Sequence, residues 1–103
     1  MEIYSIECIP GKEYEVLRLV KGNTVQAKHI GRDIGAGLKG IVGGEIKGYT
    51  DLLNEARQIA TERMMQEAAG LGADAIIGVR YATSQIMEGA SEVLVYGTAV
   101  KFR

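Results

Sequence analysis

The stretch from Tyr49 to Leu71, YTDLLNEARQIATERMMQEAAGL, decides the fold. Leu52, Ala56, Ile59, Ala60, Met64, Ala68 and Leu71 recur at the three- and four-residue spacing that lines up one side of a helix. Asp51, Asn54, Gln58, Thr61 and Glu62 take the opposite side, and Met65 also points from it, as a candidate subunit contact. Thr50 is placed to act as N-cap, with Asp51 and Glu55 near the positive end of the helix dipole. Gly72 stands where a helix can end in the left-handed conformation that other residues avoid. A helix with one apolar side needs a surface to lie on, so its flanks carry the rest of the fold.

Downstream, two alternating runs read as strands. Ala75 to Thr83 sets Ile77, Val79 and Tyr81 on one face, and Val93 to Phe102 alternates Leu94, Tyr96, Thr98, Val100 and Phe102 with Val93, Val95 and Ala99. The loop from Met87 to Ser91, with Gly89, predicts an antiparallel hairpin between them. Upstream, Ile3 to Cys8 is extended up to the Pro10-Gly11 turn. Tyr14 to Val20 follows, with Leu17 and Leu19 on one face and Val16, Arg18 and Val20 on the other, and then a separate piece from Thr24 to Lys28. The expected class is α+β: a long amphipathic helix packed on an antiparallel sheet.

Between Lys28 and Tyr49 the spacing of Ile30, Ile34, Leu38, Ile41 and Val42 is again helical, but glycines interrupt it. An interior glycine costs about 1 kcal/mol relative to alanine, so a short Gly-rich helix here needs compensation from tight packing. Gly31 and Gly35, and likewise Gly40 and Gly44, are four residues apart and would form a small ridge for another backbone to approach.

The length of 103 residues predicts one domain over 1–103. With no Trp, one Phe and 14 Gly, its core is thin, and burial between copies of the chain is the expected remedy. Twelve Lys+Arg balance 13 Asp+Glu without forming a long block, which leaves no electrostatic footprint for nucleic acid. No apolar run approaches the roughly 20 residues of a membrane span, and the acidic start Met1-Glu2 is unlike a secretory signal. Cys8, the one cysteine, suits a reducing cytoplasm.

Few side chains form a pattern with chemistry in it. Gly35-Ala36-Gly37-Leu38-Lys39-Gly40 fits the GxGxxG spacing, but the acid twenty residues on, Glu55, falls inside the best helix rather than at a strand end, so packing explains these glycines better than a nucleotide. Metal donors are Cys8, His29 and Asp33; with one Cys and one His the chain cannot close a four-ligand zinc site alone. Rotational symmetry would repeat each donor once per subunit and could complete a site for a heavy or transition metal. Arg57, Arg63 and Glu67 lie within the apolar arc of the long helix, which suggests a paired network at the rim of the core, between subunits, or around an anion. No residue set supports catalysis, and the chain reads as a non-enzyme.

Nearly the whole chain resembles the YbjQ-like family, described as "putative heavy-metal-binding" proteins. The resemblance is carried by Arg32-Asp33, by IVGGE at Ile41 to Glu45 with GYT at Gly48 to Thr50, and by NEARQIA at Asn54 to Ala60. LGADAIIGVRY at Leu71 to Tyr81 and YGTAVKF at Tyr96 to Phe102 complete it. It implies a β-α-β-β subunit, assembly into a ring that is a homopentamer, and binding of a heavy-metal cation. The residue-based alternative is an assembly or small-molecule and protein-binding module whose site lies between subunits.

Overall fold

The computed structural model describes residues 1–27 and 44–103. Four strands and one helix follow in the order β1 (Glu2–Ile3), β2 (Tyr14–Ala27), α1 (Gly44–Gly70), β3 (Ala75–Met87) and β4 (Ala90–Phe102). The sheet order is β1-β3-β4-β2, with β1 parallel to β3 and the other neighbours antiparallel. The class is therefore α+β, as the periodicity predicts, but the sheet is mixed rather than antiparallel, and two strands precede the helix where the resemblance implies one.

The stripe on α1 buries as its spacing requires. Ala56, Ala60, Met64 and Ala68 are fully buried against Val20, Ile76, Val79, Val93, Val95 and Ala99. Met65 is half-buried and packs against the same cluster, so the apolar arc is wider than the sequence spacing suggests. The helix ends in a Schellman arrangement: Ala73 N–H donates to Ala68 C=O at 3.1 Å, Gly72 N–H to Ala69 C=O at 3.0 Å, and Gly72 has φ +81°.

Its start differs from expectation. The helix is continuous from Gly44, so Thr50 is an interior residue and not an N-cap, and Gly48 is helical too. Of the short Gly-rich helix, Gly31, Gly35 and Gly40 lie outside the described residues, while Gly44 opens α1.

Two glycines that the sequence spacing does not single out bring the layers together. A Cβ at Gly22 of β2 would collide with the backbone of Ala60 and Met64, so α1 rests directly on this strand. A Cβ at Gly97 of β4 would come 2.7 Å from Ile76 Cγ2.

Strand β2 is one strand rather than two pieces, paired with β4 from Tyr14↔Phe102 to Ala27↔Ala90. A bulge between Val16 and Arg18 resets the alternation. Val16 and Leu19, each 60% exposed, therefore lie away from the helix, whereas Leu17 and Val20 pack against its cluster. A second bulge between Ile77 and Arg80, at Gly78 with φ +63°, likewise separates Ile77 from Val79 and Tyr81. Ile77 joins Ala75 and Val100 in a small cluster on the far face, beneath Tyr4, Ile9, Tyr14 and Phe102. The hairpin turns tightly at Glu88-Gly89, with Met87 paired to Ala90 and Gly89 at φ +84°.

Only two residues of the amino-terminal run are regular strand. Tyr4 N–H still donates to Ile76 C=O (2.8 Å), and the Val79 and Gly78 amides donate to Tyr4 and Ile6 C=O (2.9 and 2.8 Å), so the segment follows the β3 bulge and crosses to the far face. The molecule measures 55 × 22 × 17 Å with a radius of gyration of 17.1 Å, against about 13 Å for a compact chain of this length.

Candidate functional site

Three places gather the chemistry of the described residues. The first is the loop carrying Cys8, whose thiol is free and exposed. Arg80 holds this loop: one guanidinium nitrogen donates to Ser5 C=O at 2.8 Å, and the other pairs with Glu7 Oε2 at 3.0 Å. Both partners are well exposed, so the ion pair contributes little stability, but two contacts from one planar group fix where the loop sits. Among the described residues no three His, Cys, Asp or Glu side chains come close enough to share a metal ion. His29 and Asp33 lie outside the described residues.

The second place is the long edge of β2. Arg63 and Glu67 do not meet each other there: Arg63 donates to Asn23 C=O at 2.8 Å, and Glu67 Oε1 accepts the Lys21 N–H at 2.8 Å. Each therefore occupies a backbone group that an edge strand would otherwise present to a passing chain. Arg57 stands apart from them, one guanidinium nitrogen donating to Asn54 Oδ1 at 2.9 Å. It lines a groove near the hairpin tip with Leu53, Thr83, Ser84, Gln85 and Ser91, a lining that holds one cation, several hydroxyls and an amide and no carboxylate. Close by, the Thr61 hydroxyl donates to Arg57 C=O at 2.7 Å, which leaves Tyr81 to donate to Thr61 Oγ1 at 2.7 Å and tie α1 to β3.

The third place is an open groove between the flank of α1 and the start of β1, lined by Met1, Glu62, Met65, Gln66 and Ala69. Glu62, Met65, Gln66 and Ala69 form a ridge at helical spacing, which is the signal that could have found it. The missing part was Met1, which only the parallel pairing of β1 with β3 brings alongside the helix.

Residues 1–103 match the family described as "Putative heavy-metal-binding". The chain belongs to the YbjQ family. The family member from Helicobacter hepaticus named UPF0145 protein is 68% identical over 101 residues, covering 98% of this chain and 97% of that protein. A UPF0145 protein from Thermotoga maritima is 60% identical over 102 residues, with 98% and 96% covered. The YbjQ-family fold also matches a crystal structure from Pediococcus pentosaceus of a protein of unknown function in the DUF74 family, with a TM-score of 0.71 at 18% identity over 100% of this chain and 98% of that one. For a heavy-metal cation this YbjQ-family chain offers one accessible soft donor of the thiol type, Cys8, on a fixed loop. No helix among the described residues is long and apolar enough to cross a membrane.

Proposed function

We propose that this YbjQ-family chain is a non-enzymatic, self-assembling protein that binds a heavy-metal cation with donors drawn from more than one copy. The observation that carries the reading is the exposed Cys8 thiol on a loop pinned by Arg80, a soft ligand held ready with no set of further donors gathered beside it among the described residues. Repetition of Cys8, together with His29 and Asp33, around a symmetry axis would supply the missing ligands. A ring, specifically a homopentamer working in the reducing cytoplasm where a thiol persists, is the form we assign to it. Metal content of purified, tag-free protein tests the idea. Expected is a stoichiometric heavy or transition metal that falls at least tenfold in Cys8→Ser or His29→Ala; equal, substoichiometric metal in all three proteins would sink it.

The groove around Arg57 favours a second reading, an anionic small molecule held near a subunit boundary. A carboxylate or phosphate there would meet a guanidinium and neutral donors, with no carboxylate among the described residues that line the groove. Ligands of that class should raise the melting temperature of the unaltered chain and not of Arg57→Gln; an equal rise in both would remove this site.

A further inference from the structure

The flank of α1 and the outer half of β3 run in step. The Thr61 hydroxyl meets the Tyr81 hydroxyl at 2.7 Å, and one and two turns back along the helix Arg57 and Leu53 line a groove with Thr83, Ser84 and Gln85. Tyr81, Thr83 and Gln85 are exposed, and from Tyr81 to Met87 the outer edge of β3 has no neighbouring strand among the described residues. Among those residues the Arg57 guanidinium bonds Asn54 and makes no ion pair. Its neighbours one turn away on the helix, Leu53, Asn54, Ala60 and Thr61, are all neutral, so no acid stands beside it on that face of α1.

A free strand edge takes up another strand through main-chain hydrogen bonds, and the side chains beside it set which sequence fits. The spacing here suits an extended chain, because the helical turn from Leu53 to Arg57 rises about 6 Å and two residues of a strand span about 6.7 Å. The edge itself, YATSQIM, is neutral, so a second copy paired through the same strand brings no acid to Arg57. We propose that this groove and edge form a docking site for an extended acidic peptide of a partner protein, which adds as a strand to β3, sets a carboxylate against Arg57 and lays an apolar side chain two residues away against Leu53. An antiparallel addition puts the apolar residue two places before the acid. The site rests on the anion reading above only for the charge of the ligand.

A phage-displayed library of linear peptides, selected against the full-length protein, is the probe. Expected are selected sequences with an aspartate or glutamate two residues from an apolar one. Their synthetic forms should bind the unaltered protein at least tenfold more tightly than Arg57→Gln and slow deuterium exchange of amides between Tyr81 and Met87. Arg57 is exposed, so Arg57→Gln should keep the circular dichroism of the unaltered chain. Selection of no acidic sequence, equal binding to Arg57→Gln, or protection of amides elsewhere in place of these would overturn the site. So would amides from Tyr81 to Met87 that are protected before any peptide is added and released in Ser84→Lys with Ile86→Lys, a result that gives the edge to a second copy. A small carboxylate or phosphate that stabilises the unaltered chain and not Arg57→Gln, with no peptide selected, would sink strand addition and spare the anion reading. Peptide binding lost in Arg57→Gln, beside small anions without effect, would do the reverse.

Discussion

At Gly22 the backbone of α1 lies directly against β2, and the hydrogen of a glycine is all that fits between them. A methyl there would collide with Ala60 C=O and Met64 N–H, and backbone cannot swing aside as the tip of a side chain can. Overpacking of a close-packed core costs about 1–3 kcal/mol, and a clash with helix backbone belongs at the upper end. Gly22→Ala should therefore lower the melting temperature by about 10 °C or more, taking about 4–8 °C per kcal/mol for a domain of this size; thermal unfolding followed by circular dichroism measures it. Gly97→Ala meets Ile76 Cγ2 at 2.7 Å and the Ile77 carbonyl and Val79 Cγ2 at 3.0 Å, milder approaches than those at Gly22 but against stiff, buried side chains, so it should also destabilise, by less. Neither role can be read from the residue's neighbours in sequence, because what each glycine makes room for is a separate element that the fold places above it. The glycines crowded between Gly31 and Gly44 attract attention as a motif, whereas Gly22 and Gly97 stand singly in strands, where a glycine has no local reason to be.

At the scale of elements, what was legible follows from local physics. The stripe from Ala56 to Ala68 and the cap at Gly72 depend only on helical geometry and on the left-handed φ that glycine tolerates, and both stand as the spacing predicts. Gly72→Ala should destabilise by about 1–2 kcal/mol, the cost of holding a Cβ in that region, and Gly72→Asn by less; urea titrations of the two variants check the order. The strand faces were illegible at the bulges beside Leu17 and Gly78, since one extra residue reverses every side chain that follows. The start of α1 was missed because the helix runs through Gly44 and Gly48, positions whose low intrinsic helix propensity reads as a break in the sequence. For the candidate sites, Cys8 was visible as the one thiol, but the Arg80 clamp that fixes its loop joins residues at opposite ends of the chain. Arg63 and Glu67 drew notice as charges within an apolar arc, whereas their partners are backbone groups of β2, which no side-chain pattern announces. Glu67→Ala strips the acceptor from the Lys21 amide, so that amide should exchange with deuterium faster while amides in the middle of β4 keep their protection.

Across the whole molecule the two outer edges of the sheet are treated differently. On β2, Arg63 and Glu67 of the helix occupy the backbone at Asn23 and Lys21. On the other side β1 covers β3 only at Ala75 and Ile76, and the hydrogen bonds of the following segment stop at Val79. From Tyr81 to Met87 the strand is exposed and has no neighbour on its outer side among the described residues, and its sequence YATSQIM contains no charge, no proline and no glycine. Proteins that stay monomeric blunt such an edge with a lysine, a bulge or a cover; the bulge here comes only near the tip, between Gln85 and Met87. The elongated outline of 55 × 22 × 17 Å leaves this edge at the side of a long, thin sheet, where a neighbouring copy could pair with it along several residues. If assembly uses it, charges introduced at two points along this edge should break the assembly without touching the core, because Ser84 and Ile86 are both exposed. Ser84→Lys with Ile86→Lys is expected to shift the sedimenting species to the 11.1 kDa monomer while the far-ultraviolet circular dichroism of the helix persists. A double variant that sediments like the unaltered protein, with the unaltered protein larger than one chain, would move the interface elsewhere, and the exposed pair Val16 and Leu19 on the face away from the helix would be the next surface to charge.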